Sequence, residues 1–192
     1  MKPVVAAFDL DGTLTKHDTL VPFLRAAVGA PRVGVCLVRC LPSFVRAKAD
    51  RALRDEAKEA LLGLTLRGRR EADLRELAAS FVPTLALRDD VVEILRGHQH
   101  AGHETVVVSA SPTLYVDALA AHLGIDAVVA TELEVSDDGV LTGRYDGENC
   151  RAEEKARRLA AWLDGRDVEL HAYGNPPDDE PMLALADVAV RL

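Results

Sequence analysis

Val4-Val5-Ala6-Ala7-Phe8-Asp9-Leu10-Asp11-Gly12-Thr13-Leu14-Thr15 is the stretch that decides the fold. Its first five residues are short, apolar and β-branched at the start, which predicts a buried strand, and they run straight into a polar Gly-containing loop. Asp9 and Asp11 stand two positions apart directly after that strand, where residues i and i+2 point the same way. Two anions held this close repel unless a proton or a cation separates them. One can stay ionised while the other carries a proton, a division of labour that suits a nucleophile and a general acid. The bland alternative is a loop whose acids only cap backbone groups. A calcium loop of the EF-hand kind is a poor match, because the remaining ligand series is missing.

Outward from this strand, no strand signal appears between Thr19 and Val82. Helical spacing predicts helices over Leu20 to Val28, Val33 to Val45, Ala52 to Leu62 and Ala72 to Val82, punctuated by Gly29-Ala30-Pro31, Pro42 and Gly63 to Gly68. After Pro83 the pattern alternates. It gives a helix from Asp89 to His100, a strand from Thr105 to Val108, a helix from Pro112 to Leu123 and a strand from Ala127 to Ala130. A hairpin from Leu133 to Tyr145 turning at Asp137-Asp138-Gly139 follows, then a helix from Ala152 to Leu163 and a strand from Val168 to Ala172. A short helix near Pro181 to Ala186 and a strand from Val188 to Leu192 complete the pattern. Strands alternating with helices predict an α/β fold, a parallel sheet covered on both faces with ligands at the carboxyl ends of its strands.

The 192 residues, 48% apolar and 28% charged, suffice for one globular unit or a domain with one large insertion. A formal charge of −8 without a basic stripe speaks against nucleic acid as a partner. Met1-Lys2-Pro3 leads into too short an apolar run for a signal peptide, so a cytoplasmic location is expected. The most membrane-like stretch, Val28 to Val45, is broken by Pro31, Arg32, Arg39 and Pro42, so no membrane partner is expected either. Cys36, Cys40 and Cys150 read as reduced thiols, the first two as small core residues on one helical face.

Three further places offer chemistry. Val106-Val107-Val108-Ser109-Ala110-Ser111-Pro112 ends a strand in a hydroxyl before a Pro-started helix, where free amide groups could meet a phosphate; a simple helix cap is the alternative. Lys155 sits near a helix start, an uncomfortable place for a cation unless it has another use. Gly174-Asn175-Pro176-Pro177-Asp178-Asp179 ends a strand in oxygen ligands that suit a hard divalent cation.

In their order, Asp9-Leu10-Asp11-Gly12-Thr13, Ser109, Lys155 and the Gly174 to Asp179 loop resemble the four motifs of haloacid dehalogenase-type phosphatases. The helical insertion after the first motif, with Glu154-Lys155 and Glu180-Pro181-Met182-Leu183, is most similar to the phosphoserine-phosphatase-like branch, subfamily IB. The resemblance implies a Rossmann-like three-layer α/β/α core with a helical type 1 cap, the core formed by residues 1–15 and 83–192 and the cap by 16–82. It also implies a Mg²⁺-dependent phosphatase acting on a small phosphorylated metabolite through an aspartyl phosphate. Asp9 would be nucleophile and metal ligand, and Asp11 the general acid and base whose carbonyl also binds metal. Ser109, Ala110 and Lys155 would hold the phosphoryl group, and Asn175 and Asp179 would complete the metal site. Asp178 would lie at the substrate. Asn175 stands where an Asp is usual, which removes one negative charge. Asp18 resembles an acid that faces the substrate ammonium in phosphoserine phosphatases, with helix capping as its alternative; Arg51, Arg54 and Arg67 are candidates for a substrate carboxylate. A phospho-receiver domain, a ligand-binding protein without turnover and a phosphotransferase are the competing readings.

Overall fold

The computed structural model describes residues 2–46 and 51–192. Five parallel strands form the central sheet in the order β3-β2-β1-β6-β7: β1 Val4–Phe8, β2 Glu104–Pro112, β3 Ala127–Thr131, β6 Glu169–Gly174 and β7 Val188–Arg191. β1 is central because all but its first residue are buried, and its side chains alternate between the two faces. Ala6 and Phe8 join Val107 and Tyr173 on one face, under α5 (Asp89–His100) and α6 (Thr113–Leu123). Val5 and Ala7 join Val106, Val108 and Leu159 on the other, under α7 (Glu153–Leu163) and the short α8 (Glu180–Leu183). Sequence order departs in opposite directions on the two sides of β1, so a crevice opens at the carboxyl end of this strand. The architecture is a Rossmann-like three-layer α/β/α core with a helical insertion after the first strand.

The insertion holds α1 (Leu20–Val28), α2 (Ala30–Arg46), α3 (Arg51–Leu66) and α4 (Glu71–Phe81). Two of its expected boundaries are corrected. α2 begins at Ala30 rather than Val33, so Pro31 lies in its first turn, where its missing N–H costs no helix hydrogen bond; Pro42, inside the helix as expected, is exposed. α3 runs through Gly63, whose missing side chain has a packing reason. A Cβ there would lie 3.1 Å from the carbonyl oxygen of Gly143 in the hairpin of β4 (Leu133–Val135) and β5 (Leu141–Tyr145). That hairpin is tied to the end of α3 by Gly68 N–H to the Leu141 carbonyl (2.9 Å) and Arg67 Nε to the Thr142 carbonyl (2.8 Å). Sequence spacing had no means of showing this contact.

Two further boundaries move in ways that affect the site. β2 continues through Ser109, Ala110 and Ser111 to Pro112, so the hydroxyl-rich turn is extended strand rather than a helix cap. At the start of α7, Ala152 adopts φ 51°, ψ −118°, a region that L side chains rarely occupy, and it is buried. Ala152→Gly should raise stability by about 1 kcal/mol, a gain of roughly 2–4 °C in Tm for a domain of this size, measured by calorimetry. An unchanged or lower Tm would mean the surrounding packing relieves the conformation. None of the described helices is long and apolar enough to cross a membrane.

Candidate active site

Asp9 follows β1 immediately and its amide still donates to the Tyr173 carbonyl of β6 at 2.9 Å, so its backbone is fixed at the carboxyl end of the central strand. Lys155, on the first turn of α7, donates to Asp9 Oδ1 and to Asp179 Oδ1, both at 2.5 Å. All three side chains are almost fully buried. Burial opposes the lysine charge, but the two carboxylates outweigh it and hold the ammonium above its ordinary value. Burial, followed by the charge of Asp9, raises Asp179, with Lys155 partly offsetting the rise. Glu154 takes no part: Arg157 and Arg158 hold it down to about 2, with the Arg157 hydrogen bonds the larger cause.

Asp11 is held from two sides. Its Oδ1 accepts from the Thr19 amide (2.7 Å) and hydroxyl (2.6 Å), and its Oδ2 accepts from Ser111 Oγ at 2.6 Å. Burial, then the charge of Asp18, raises its pKa above the usual carboxylate range, against the hydrogen bonds that favour the ion. The two acids of the opening motif therefore sit in different environments, one against an ammonium and the other against neutral donors. This is the separation that a nucleophile and a general acid require.

A cavity of about 750 Å³ opens over these groups between core and insertion. Asp9, Asp11, Lys155, Asn175 and Asp179 form part of its lining, as do Asp18, Ala110 and Asp178. Ser109 does not reach it: the hydroxyl is buried beneath and accepts from the Ser111 amide at 3.0 Å. Asp18 Oδ1 accepts from the Leu20 amide at 3.0 Å, so it caps α1 while lining the cavity. Asp178 is engaged by Arg151 through two hydrogen bonds of 3.0 and 2.9 Å. Of the arginines considered for a carboxylate, Arg54 lines the cavity, Arg67 is spent on the hairpin and the Arg51 side chain lies outside the described residues.

Sequence reasoning missed the polar bridge from α3. Lys58 donates to the Ala110 carbonyl (2.5 Å) and to Asn149 Oδ1 (2.9 Å), and Asn149 donates to Asp55 Oδ1 (2.6 Å). Burial lowers Lys58 to about 8, so the positive charge it brings to the cavity falls as pH rises through that value. An inward lysine on an amphipathic helix gives no signal at sequence level, because spacing marks the apolar face and not where a long polar chain ends.

Asp9, Asp11, Asn175 and Asp179, the oxygen-bearing residues expected to hold a metal, all line the cavity. Asn175 lies beside the Asp9–Asp11 loop, its Nδ2 only 2.8 Å from where a Cβ on Gly12 would sit, and Gly12 has φ +85°. One ammonium between two buried carboxylates leaves negative charge that a hard cation would offset. Among the described residues no group of three or more His, Cys, Asp or Glu is placed to hold a metal. The amide at 175 accounts for one missing acid, and two carboxylates with amide, carbonyl and water ligands still fit Mg²⁺.

The sequence matches the haloacid dehalogenase-like hydrolases over residues 6–184. The chain belongs to that family. Caulobacter vibrioides protein CicA is 41% identical over 191 residues, covering 97% of this chain and 84% of that protein. A phosphoserine phosphatase of Idiomarina loihiensis is 38% identical over 129 residues, covering 65% of this chain and 56% of that enzyme. Among solved structures, a Bordetella pertussis protein of unknown function superposes with a TM-score of 0.81 at 26% identity, covering 96% of this chain and 87% of that one. Within the haloacid dehalogenase-like hydrolases, the chain is subfamily IB-like, with phosphoserine-phosphatase-like homologues at moderate identity.

Proposed function

We propose that the protein is a Mg²⁺-dependent phosphatase that hydrolyses a small phosphomonoester in two steps through Asp9. The observation that carries this reading is the pairing of Asp9 with Lys155 beside an Asp11 whose pKa is raised. In the first step an Asp9 oxygen forms a bond to phosphorus as the ester P–O bond breaks, and the departing alkoxide takes the Asp11 proton. In the second, ionised Asp11 takes a proton from water, the water oxygen bonds to phosphorus, and the P–O bond to Asp9 breaks, releasing phosphate. Lys155 offsets the repulsion between carboxylate and phosphate dianion. A bound Mg²⁺, held by Asp9, Asp179, Asn175 and the Asp11 carbonyl, would supply further charge neutralisation at the phosphoryl oxygens. The test is continuous phosphate release over phosphorylated amino acids, sugars, polyols and nucleotides, with and without chelator. Only stoichiometric labelling would favour a receiver, and undiminished turnover after exhaustive chelation would remove the metal.

Ser111 joins this machinery as a positioning residue. Its hydroxyl donates to Asp11 and its amide donates to the Ser109 hydroxyl, so the end of β2 orients the acid. Ser111→Ala should lower kcat/KM for an alkyl phosphate by about tenfold and leave p-nitrophenyl phosphate, whose leaving group needs no proton, within about twofold. The hydrogen bond lowers the Asp11 pKa, so its loss should move the alkaline limb of the alkyl-phosphate profile to higher pH. Equal losses on both esters would make Ser111 a structural or phosphate-contacting residue instead.

The finer substrate reading rests on Asp18, which faces the same cavity, and on the phosphoserine phosphatase among the relatives. An amine-bearing alcohol would place its ammonium beside Asp18. Asp18→Ala should then raise KM for amine-bearing esters by about tenfold more than for uncharged polyol phosphates. Equal effects on both classes would leave Asp18 with its capping role alone.

A further inference from the structure

From Thr19 to Arg46 the chain carries Arg25, Arg32, Arg39 and Arg46 and no acid, within a protein that has 31 acidic residues. The arginines recur at intervals of about two helical turns, so the three on α2 share one side of that helix. The same helix exposes apolar side chains. Val35, Val38, Leu41 and Val45 are between 54% and 71% exposed, whereas the other exposed large apolar side chains among the described residues, Leu64, Leu185 and Val188, are between 38% and 46% exposed. Val33, Cys36 and Cys40 already supply the buried face, so the outward valines are surplus to the fold. Helical spacing puts Val35, Val38 and Val45 opposite the buried residues, with Arg32, Arg39 and Arg46 alongside them.

We propose that the outer face of α2 docks on an anionic membrane surface, the valines entering the interface and the arginines meeting lipid phosphates. Charge decides the occupant: an apolar strip flanked by arginines without acids matches a negatively charged bilayer surface. A second copy would bring the same arginines against each other across a two-fold contact. The association is peripheral, since no described helix can span a bilayer. α2 then separates two surfaces, because its Leu37 and Phe44 line the cavity while its valines face outward.

Co-sedimentation of the full chain with phosphatidylcholine vesicles, with and without phosphatidylglycerol, tests this independently of any catalytic activity. Binding is expected only to the anionic vesicles and should weaken as salt rises. Arg32→Gln, Arg39→Gln and Arg46→Gln combined should weaken it by about two orders of magnitude, about fivefold for each arginine. Val38→Asp should abolish it with the thermal melt unchanged, since Val38 is 71% exposed. Absence of binding to anionic vesicles at low salt, or binding that neither variant weakens, would overturn the proposal. A concentration-dependent dimer lost in Val38→Asp, without vesicle binding, would overturn it in favour of a second copy.

Discussion

Asp9→Asn should lose at least about four orders of magnitude in kcat while remaining folded, with phosphate release falling to the background of the assay. The amide is a poor nucleophile, and no other carboxylate can replace it. Asp11 is tied down by Thr19 and Ser111, and Asp179 is held by Lys155 and the Asn175 amide. The fold should tolerate the change because Lys155 keeps Asp179 as its partner, so the ammonium is not left alone in a buried place. Steady-state rates together with a thermal melt check both halves. A folded variant with the parent's rate would place the nucleophile elsewhere.

Lys155→Met should have the largest combined effect on activity and stability. It removes the charge facing the phosphoryl group and leaves Asp9 and Asp179 buried side by side without a cation. Breaking a buried pair in this way costs about 3–5 kcal/mol. The pH dependence has a defined sign. In the variant, Asp179, already raised by burial and by the charge of Asp9, loses the offset that Lys155 supplies, so the folded state binds more protons than the unfolded one and stability falls as pH rises. The deficit in Tm against the parent should therefore be largest at neutral and alkaline pH and shrink as pH falls through the raised value of Asp179. Melts across pH measure it. A deficit that does not vary with pH would mean that Lys155 acts through packing rather than charge.

Much of this architecture could be read from residues alone. The strand before Asp9 was legible because a short β-branched run ending in a polar loop has few other uses, and the alternation after Pro83 gave the parallel sheet. What escaped depends on tertiary contact. Pro31 and Gly63 were read as punctuation between helices, yet Pro31 sits in the first turn of α2, where no N–H is needed, and Gly63 admits a hairpin backbone. Ser111 was hidden because a serine before proline reads as a cap, whereas β2 continues through it and turns its hydroxyl to Asp11. The Lys58, Asp55 and Asn149 bridge joins residues far apart in the chain, and no local pattern announces it.

The central claim is that phosphate passes through Asp9. The direct measurement is to quench the enzyme during turnover, reduce any acyl phosphate with borohydride and locate the product by peptide mass spectrometry. The account predicts homoserine at position 9 and nowhere else, with none in Asp9→Asn. Reduction product at another residue, or none at position 9 while the alcohol is released in a stoichiometric burst, would contradict it.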